Sequence, residues 1–200
     1  MPTTVCRVLI ILLTFVLVAC KEDQTSDVEP HNTQNDSIDQ IKSLSSASSA
    51  QAVSDDLCEM SELDSDLLDT INLVRSEGRF CGSDFYPAVE PVVWNCKLRD
   101  ASLNHSQDMG AVNFVSHTGS DGLMVNYRVN QAGYDWLKIS ENIAAGYPGV
   151  ELVINAWLGS PDHCATLMGD EFKDVGVGVD LPENADYGDY WTLLMGKPIS

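Results

Sequence analysis

The sequence predicts an α+β domain in which helices cover both faces of a small antiparallel sheet. Three observations carry this. Apolar residues recur at helical spacing over residues 67–74 and again over 98–112. Near the carboxyl end the period changes to two, where Val175, Val177 and Val179 alternate with Gly176 and Gly178. Helical segments come first and extended ones later, the order of an α+β rather than an alternating α/β fold. No internal repeat is visible.

The organised part begins near Ser61. Asp64 or Ser65 is placed to cap a first helix, with acidic residues in its opening turn. Leu67, Leu68, Ile71 and Val74 form its inner stripe, and Gly78 reads as its terminator. Residues 81–92 read as loop, broken by Gly82, Pro87 and Pro91. A second helix covers residues 97–113, with Leu98, Ala101, His105, Met109 and Val112 as its stripe. Residues 116–122, S-H-T-G-S-D-G, carry turn chemistry. A short third helix spans 123–131 and stops at Gly133. Residues 141–145 read as a short extended piece. Residues 150–158 are helical, with Val150, Val153, Ile154 and Trp157 inward; Ser160-Pro161 ends that helix and starts a last turn through 163–168. Residues 190–195 pair with the valine strand across a polar loop at 181–189. Trp94, Trp136, Trp157 and Trp191 read as core pieces, or one of them as the wall of an apolar ligand groove.

The amino terminus is an address. Arg7 precedes an apolar run at residues 8–18, too short for a membrane span of about 20 residues but suited to a secretory signal. It ends in Leu17-Val18-Ala19-Cys20, which resembles the lipobox of bacterial lipoproteins. Residues 1–19 are then a cleaved signal peptide and Cys20 the lipid carrier; ordinary secretion is the alternative. Residues 20–60 are acidic and Ser-rich, a tether with too little apolar surface to fold, and His31 within it is solvated. Residues 61–200 form the domain. The expected location is outside the cytoplasm, lipid-anchored to the cell surface or, because Lys21 is not aspartate, to an outer membrane.

Composition narrows the partners. Of 200 residues 44% are hydrophobic, and 11 basic against 30 acidic residues give a net charge of −19. Such a chain repels phosphate backbones, so nucleic acid is excluded. No basic amphipathic segment is present, so membrane contact is through the lipid alone. A monomer is expected. With Cys6 lost and Cys20 lipidated, Cys58, Cys81, Cys96 and Cys164 remain. An even set in an exported domain implies two disulfides in one of three pairings, of which Cys81–Cys164 with Cys58–Cys96 is preferred. No C-x-x-C pair favours a metal instead.

A series of short motifs runs through the domain. Ile71-Asn72-Leu73-Val74-Arg75 and Pro91-Val92-Val93-Trp94-Asn95 open it. Ala101 to Asp108-Met109, Ser116-His117-Thr118-Gly119, Gly133-Tyr134 and Glu141-Asn142-Ile143-Ala144 follow. Trp157-Leu158-Gly159-Ser160-Pro161-Asp162-His163-Cys164, Gly176-Val177-Gly178 and Tyr190-Trp191-Thr192 close it. In this order they resemble bacterial members of the CAP superfamily, which includes cysteine-rich secretory, antigen 5 and pathogenesis-related-1 proteins. The resemblance implies an α-β-α sandwich, an extracellular setting and a cleft with two histidines and two acids. His117 matches the first histidine, Glu141 the first glutamate and His163 the second histidine. Ser160 stands where longer relatives carry the second glutamate, and Ser140 and Asp162 where many have glycine, so the tetrad is reduced. His105, Asn142 and Ser160 are candidates for cleft support.

Two imidazoles and a carboxylate can hold Zn²⁺ with a fourth, water-filled position, and zinc lowers the pKa of bound water to about 7. No H-E-x-x-H spacing enforces that geometry, and hydrogen bonding between loops explains the same residues. Ser160 has no G-x-S-x-G frame for a serine hydrolase. Asp180, Glu183, Asp186 and Asp189 do not fit a calcium loop and read as a solvated hairpin. The leading functional expectation is a non-enzymatic binding or interaction module for a protein or cell-wall ligand. A zinc-dependent hydrolase using His117, His163 and Glu141 is the second, and lipid or sterol binding the third.

Overall fold

The computed structural model describes residues 58–199 of the chain. The expected signal peptide, the lipidation expected at Cys20, His31 and the stretch expected as a tether, as far as residue 57, lie outside the described residues.

The first helix, α1 (Glu62–Arg75), starts on a capping box: the Ser61 hydroxyl accepts from the Asp64 amide and the Asp64 carboxylate accepts from the Ser61 amide. Ser61 is therefore the cap, and Asp64 is its return partner rather than the cap. The helix ends at Ser76, not Gly78; Phe85 packs over Gly78, where a Cβ would lie 2.8 Å from its ring. Buried Arg75 donates to the carbonyls of Glu90, Leu167 and Gly169, tying α1 to segments distant in sequence.

The stretch expected as loop holds a small hairpin, β1 (Arg79–Cys81) and β2 (Asp84–Tyr86), with Phe80 opposite Phe85. Its strands are too short to reveal a period of two. The strand β3 (Val93–Trp94) follows. Asn95 caps α2 (Cys96–Val112) by accepting from the Lys97 and Leu98 amides, and Asn113 ends it in the left-handed region. Val112 is exposed, so the inner stripe stops at Met109. Then come α3 (Val125–Gln131), β4 (Trp136–Ala145), α4 (Val150–Leu158), α5 (Pro161–Leu167), β5 (Asp174–Asp180) and β6 (Tyr190–Pro198). The strand β4 is twice as long as expected, because it is half-exposed and Lys138 and Ser140 blur its alternation.

The main sheet has the order β3-β5-β6-β4. Three strands are antiparallel, and two-residue β3 joins parallel to β5. One face packs on α1, α4 and α5 through Val175, Val177, Trp191, Leu193 and Met195 against Leu67, Ile71, Val153, Ile154 and Trp157. On the other face α2 presses directly on β5. A Cβ on Gly176 would sit 2.1 Å from the Arg99 amide nitrogen, and one on Gly178 2.2 Å from that of Leu103. The glycines that alternate with valine are there to admit a helix. Ser102 and Ser106 donate to the carbonyls of Gly176 and Gly178. Leu98, Ala101, Val129, Tyr134 and Leu194 complete this second, smaller core. The result is the expected α-β-α sandwich. Both preferred disulfides are present, with Cα separations of 5.6 Å for Cys58–Cys96 and 5.4 Å for Cys81–Cys164.

Two expectations need correction. Asp189 is not a solvated hairpin residue: it is buried and accepts from the Tyr147 amide and the Trp191 indole. Trp136 is only half-buried, donating to Asn130 at the surface, whereas Trp157 and Trp191 are core.

Candidate functional site

Strand β4 is the edge of the sheet, and its side chains alternate between the two helical layers. Ile139 packs with the α2–α3 core and Ala144 with the opposite one. Parity then sends Glu141 to the α2–α3 side and Asn142 to the α5 side. The loop after α2 brings His117 to the first; α5 carries His163 on the second. Residues far apart in sequence thus meet around one strand edge.

The Glu141 carboxylate is engaged on both oxygens. Oε1 accepts from His117 Nδ1 at 2.8 Å, and Oε2 accepts from Arg128 Nη2 at 2.7 Å. The Glu141 side chain is 3% exposed, while that of His117 is 51% exposed. Arg128 also donates to the His117 and Leu123 carbonyls, so one guanidinium fixes both the acid and the loop. The bond to Glu141 raises the pKa of His117 against the opposing effect of burial. Across the edge, Asn142 donates to the His163 carbonyl at 3.0 Å. Burial lowers the pKa of His163, and His117 lowers it further.

The supporting residues divide. His105 is fully buried and donates through Nε2 to the Ser116 carbonyl at 2.8 Å, holding the loop one residue before His117; burial depresses its pKa. Ser160 occupies the N-cap position of α5 without a capping bond, and among the described residues no hydrogen bond joins it to His117, Glu141 or His163. Two further residues hold the loop and the acid in place. Asp108 accepts from the amide and hydroxyl of Ser120, pinning the far end of the loop. Arg128 is the counter-charge to Glu141. Asp108 closes one of the motifs that carry the family resemblance, whereas Arg128 shows in the sequence only as a lone charge near a turn-rich loop, too common to single out.

The donor set does not match the zinc site drawn from sequence. Glu141 has no uncommitted oxygen and is already neutralised by Arg128. Among the described residues no cluster of three or more His, Cys, Asp or Glu side chains is arranged to hold a metal. His117 is half-exposed with Nδ1 committed to Glu141, and two imidazoles fall short of the three protein ligands of catalytic zinc.

With the fold and cleft in place, comparison with known proteins identifies the class. The chain belongs to the cysteine-rich secretory protein (CAP) family, whose sequence model matches residues 68–195. Among curated proteins it is 29% identical over 87 residues to the uncharacterized membrane protein YlbC of Bacillus subtilis, covering 44% of this chain and 25% of that one. The chain thus spans a quarter of that relative. Among solved structures it is similar to an extracellular SCP-domain protein of Bacillus anthracis, at TM-score 0.55 and 23% identity over 66% of this chain and 39% of that one. It is also similar to an outer surface protein of Borrelia burgdorferi, at TM-score 0.53 and 18% identity over 68% and 89%. These likenesses concern the fold.

Proposed function

We propose that the domain is a non-enzymatic binding module displayed outside the cytoplasm, held at the surface by a lipid on Cys20. The observation that carries it is the double engagement of Glu141. Each of its oxygens already accepts a hydrogen bond, one from an imidazole and one from a guanidinium, so a water to be deprotonated or a metal ion would have to compete with those partners for it. The strand edge offers hydrogen-bond donors and a half-exposed imidazole instead. The setting is supported by relatives described as extracellular and outer-surface proteins, and by the paired cysteines. No described helix is long and apolar enough to cross a membrane.

The test is turnover. The purified protein, assayed on peptide and ester libraries with and without added Zn²⁺, is expected to show none above a buffer control. Metal-dependent turnover abolished by His117→Ala would replace this reading with the zinc-dependent hydrolase. Lipid or sterol carriage has its own candidate location, a groove of about 340 Å³ between α1 and α4 lined by Leu73, Val74, Ile154 and Leu158. Retention of sterol or liposomes above a control protein would favour it.

A further inference from the structure

The backbone of β4, as well as the side chains around it, is available at the edge of the sheet. Hydrogen-bonded and outward-facing residues alternate along an antiparallel strand. The Gly146 amide donates to Asp189 of the strand pair, and the register continues unbroken back to Lys138. Even-numbered residues of β4 therefore bond to β6, and Ile139, Glu141 and Ile143 turn their amides and carbonyls outward. The indole of Trp157 confirms the phase from the other side, donating to the Ile143 carbonyl at 3.1 Å. That bond closes the edge at Ile143. Among the described residues nothing bonds to the outward amides and carbonyls of Ile139 and Glu141. Solvent reaches those of Glu141, which is partly exposed although its side chain is almost wholly buried, so the exposure is in its main chain.

These groups lie where a ligand has room. A hollow of about 370 Å³ opens beside the same stretch, lined by Lys138, Ser140, Thr166, Glu171, Tyr86 and Phe172. The Ser140 and Thr166 hydroxyls bond each other within it at 2.9 Å. His117 stands on the opposite side of the edge. An unpaired edge is a template for another strand, and strand addition takes affinity from main-chain bonds and selectivity from pockets met by alternate side chains. A hollow on one side and an imidazole on the other are placed for those alternate side chains.

We propose that the cleft binds an extended peptide segment as an added strand, paired to Ile139 and Glu141, with one side chain in the Ser140–Thr166 hollow and its neighbour against His117. This rests on the reading of the domain as a binding module and names the class of ligand. Proline is tolerated on an edge strand where its missing amide faces solvent. Ile139→Pro therefore deletes one outward donor and leaves the β4–β6 ladder intact.

The experiment selects binders to the full chain from a phage-displayed library of random dodecapeptides and resynthesises them. The expected result is binding weakened about tenfold or more by Ile139→Pro, which corresponds to at least one strand bond lost. Hydrogen exchange on the wild type, with peptide bound, should slow at the Ile139 and Glu141 amides; this readout decides the matter even if the variant folds poorly. No selected binder, equal binding by a folded Ile139→Pro, or protection confined to other amides overturns the proposal. Those results leave the binding-module reading standing, which fails separately on metal-dependent turnover.

Discussion

At the scale of single residues, the cleft is an exercise in distributing one negative charge. Glu141 is buried, and a buried carboxylate must be paired. His117 supplies one partner and Arg128 the other. The bond raises the His117 pKa, so proton NMR should find its midpoint above the ordinary 6.5, and Glu141→Gln should bring it back down. The linkage has a definite sign: a histidine raised in the folded state adds stability below its unfolded pKa and loses it as pH rises through the folded value. His117 is half-exposed, so that contribution is small. His105 behaves oppositely. Burial depresses it, so below pH 6.5 the unfolded chain takes a proton the folded one refuses, and stability falls as pH drops. Urea melts across this window should flatten with His105→Gln. A slope unchanged by that substitution would assign the effect to another group.

At the scale of elements, β5 shows why a strand can be read and its reason missed. The Val-Gly alternation of residues 175–179 identifies a strand, but only the packed structure explains the glycines, since α2 lies against them. Gly178→Ala should cost about 1–3 kcal/mol or more, as overpacking against rigid backbone does, measured as a lower urea midpoint. Midpoints equal to wild type would mean the helix can retreat. Helices α2 and α4 were legible because their apolar spacing is long and regular, and α4 placed all four of its inner residues correctly. The hairpin and the first half of β4 were not, since three-residue strands and a half-exposed edge leave no period to detect. Within the site, His117, Glu141 and His163 stand out through motifs with distinctive neighbours. Arg128 does not, because its importance arises from tertiary contacts with a loop and with Glu141.

At the scale of the whole molecule, the two disulfides hold different things. Cys58–Cys96 spans 38 residues and joins the start of the domain to the first turn of α2. Cys81–Cys164 spans 83 and joins the β1–β2 hairpin to α5, at the residue next to His163. Loop-closure entropy grows only with the logarithm of loop length, so the longer bridge gains about 0.7 kcal/mol over the shorter. Replacing either pair with serine should cost about 2–5 kcal/mol, and nearly the same amount for both. Their effects on the cleft should not be the same. Only the Cys81–Cys164 bridge is anchored in α5, the helix that carries His163, so only loss of that bridge should raise the His163 midpoint, by relieving its burial and the effect of His117. Proton NMR titration of both double-serine variants under conditions where each is folded separates the two bridges. A His163 midpoint that moves equally in both, or in neither, would show that α5 is held by its packing on α1 and α4 and that the bridge beside it adds stability without positioning the imidazole.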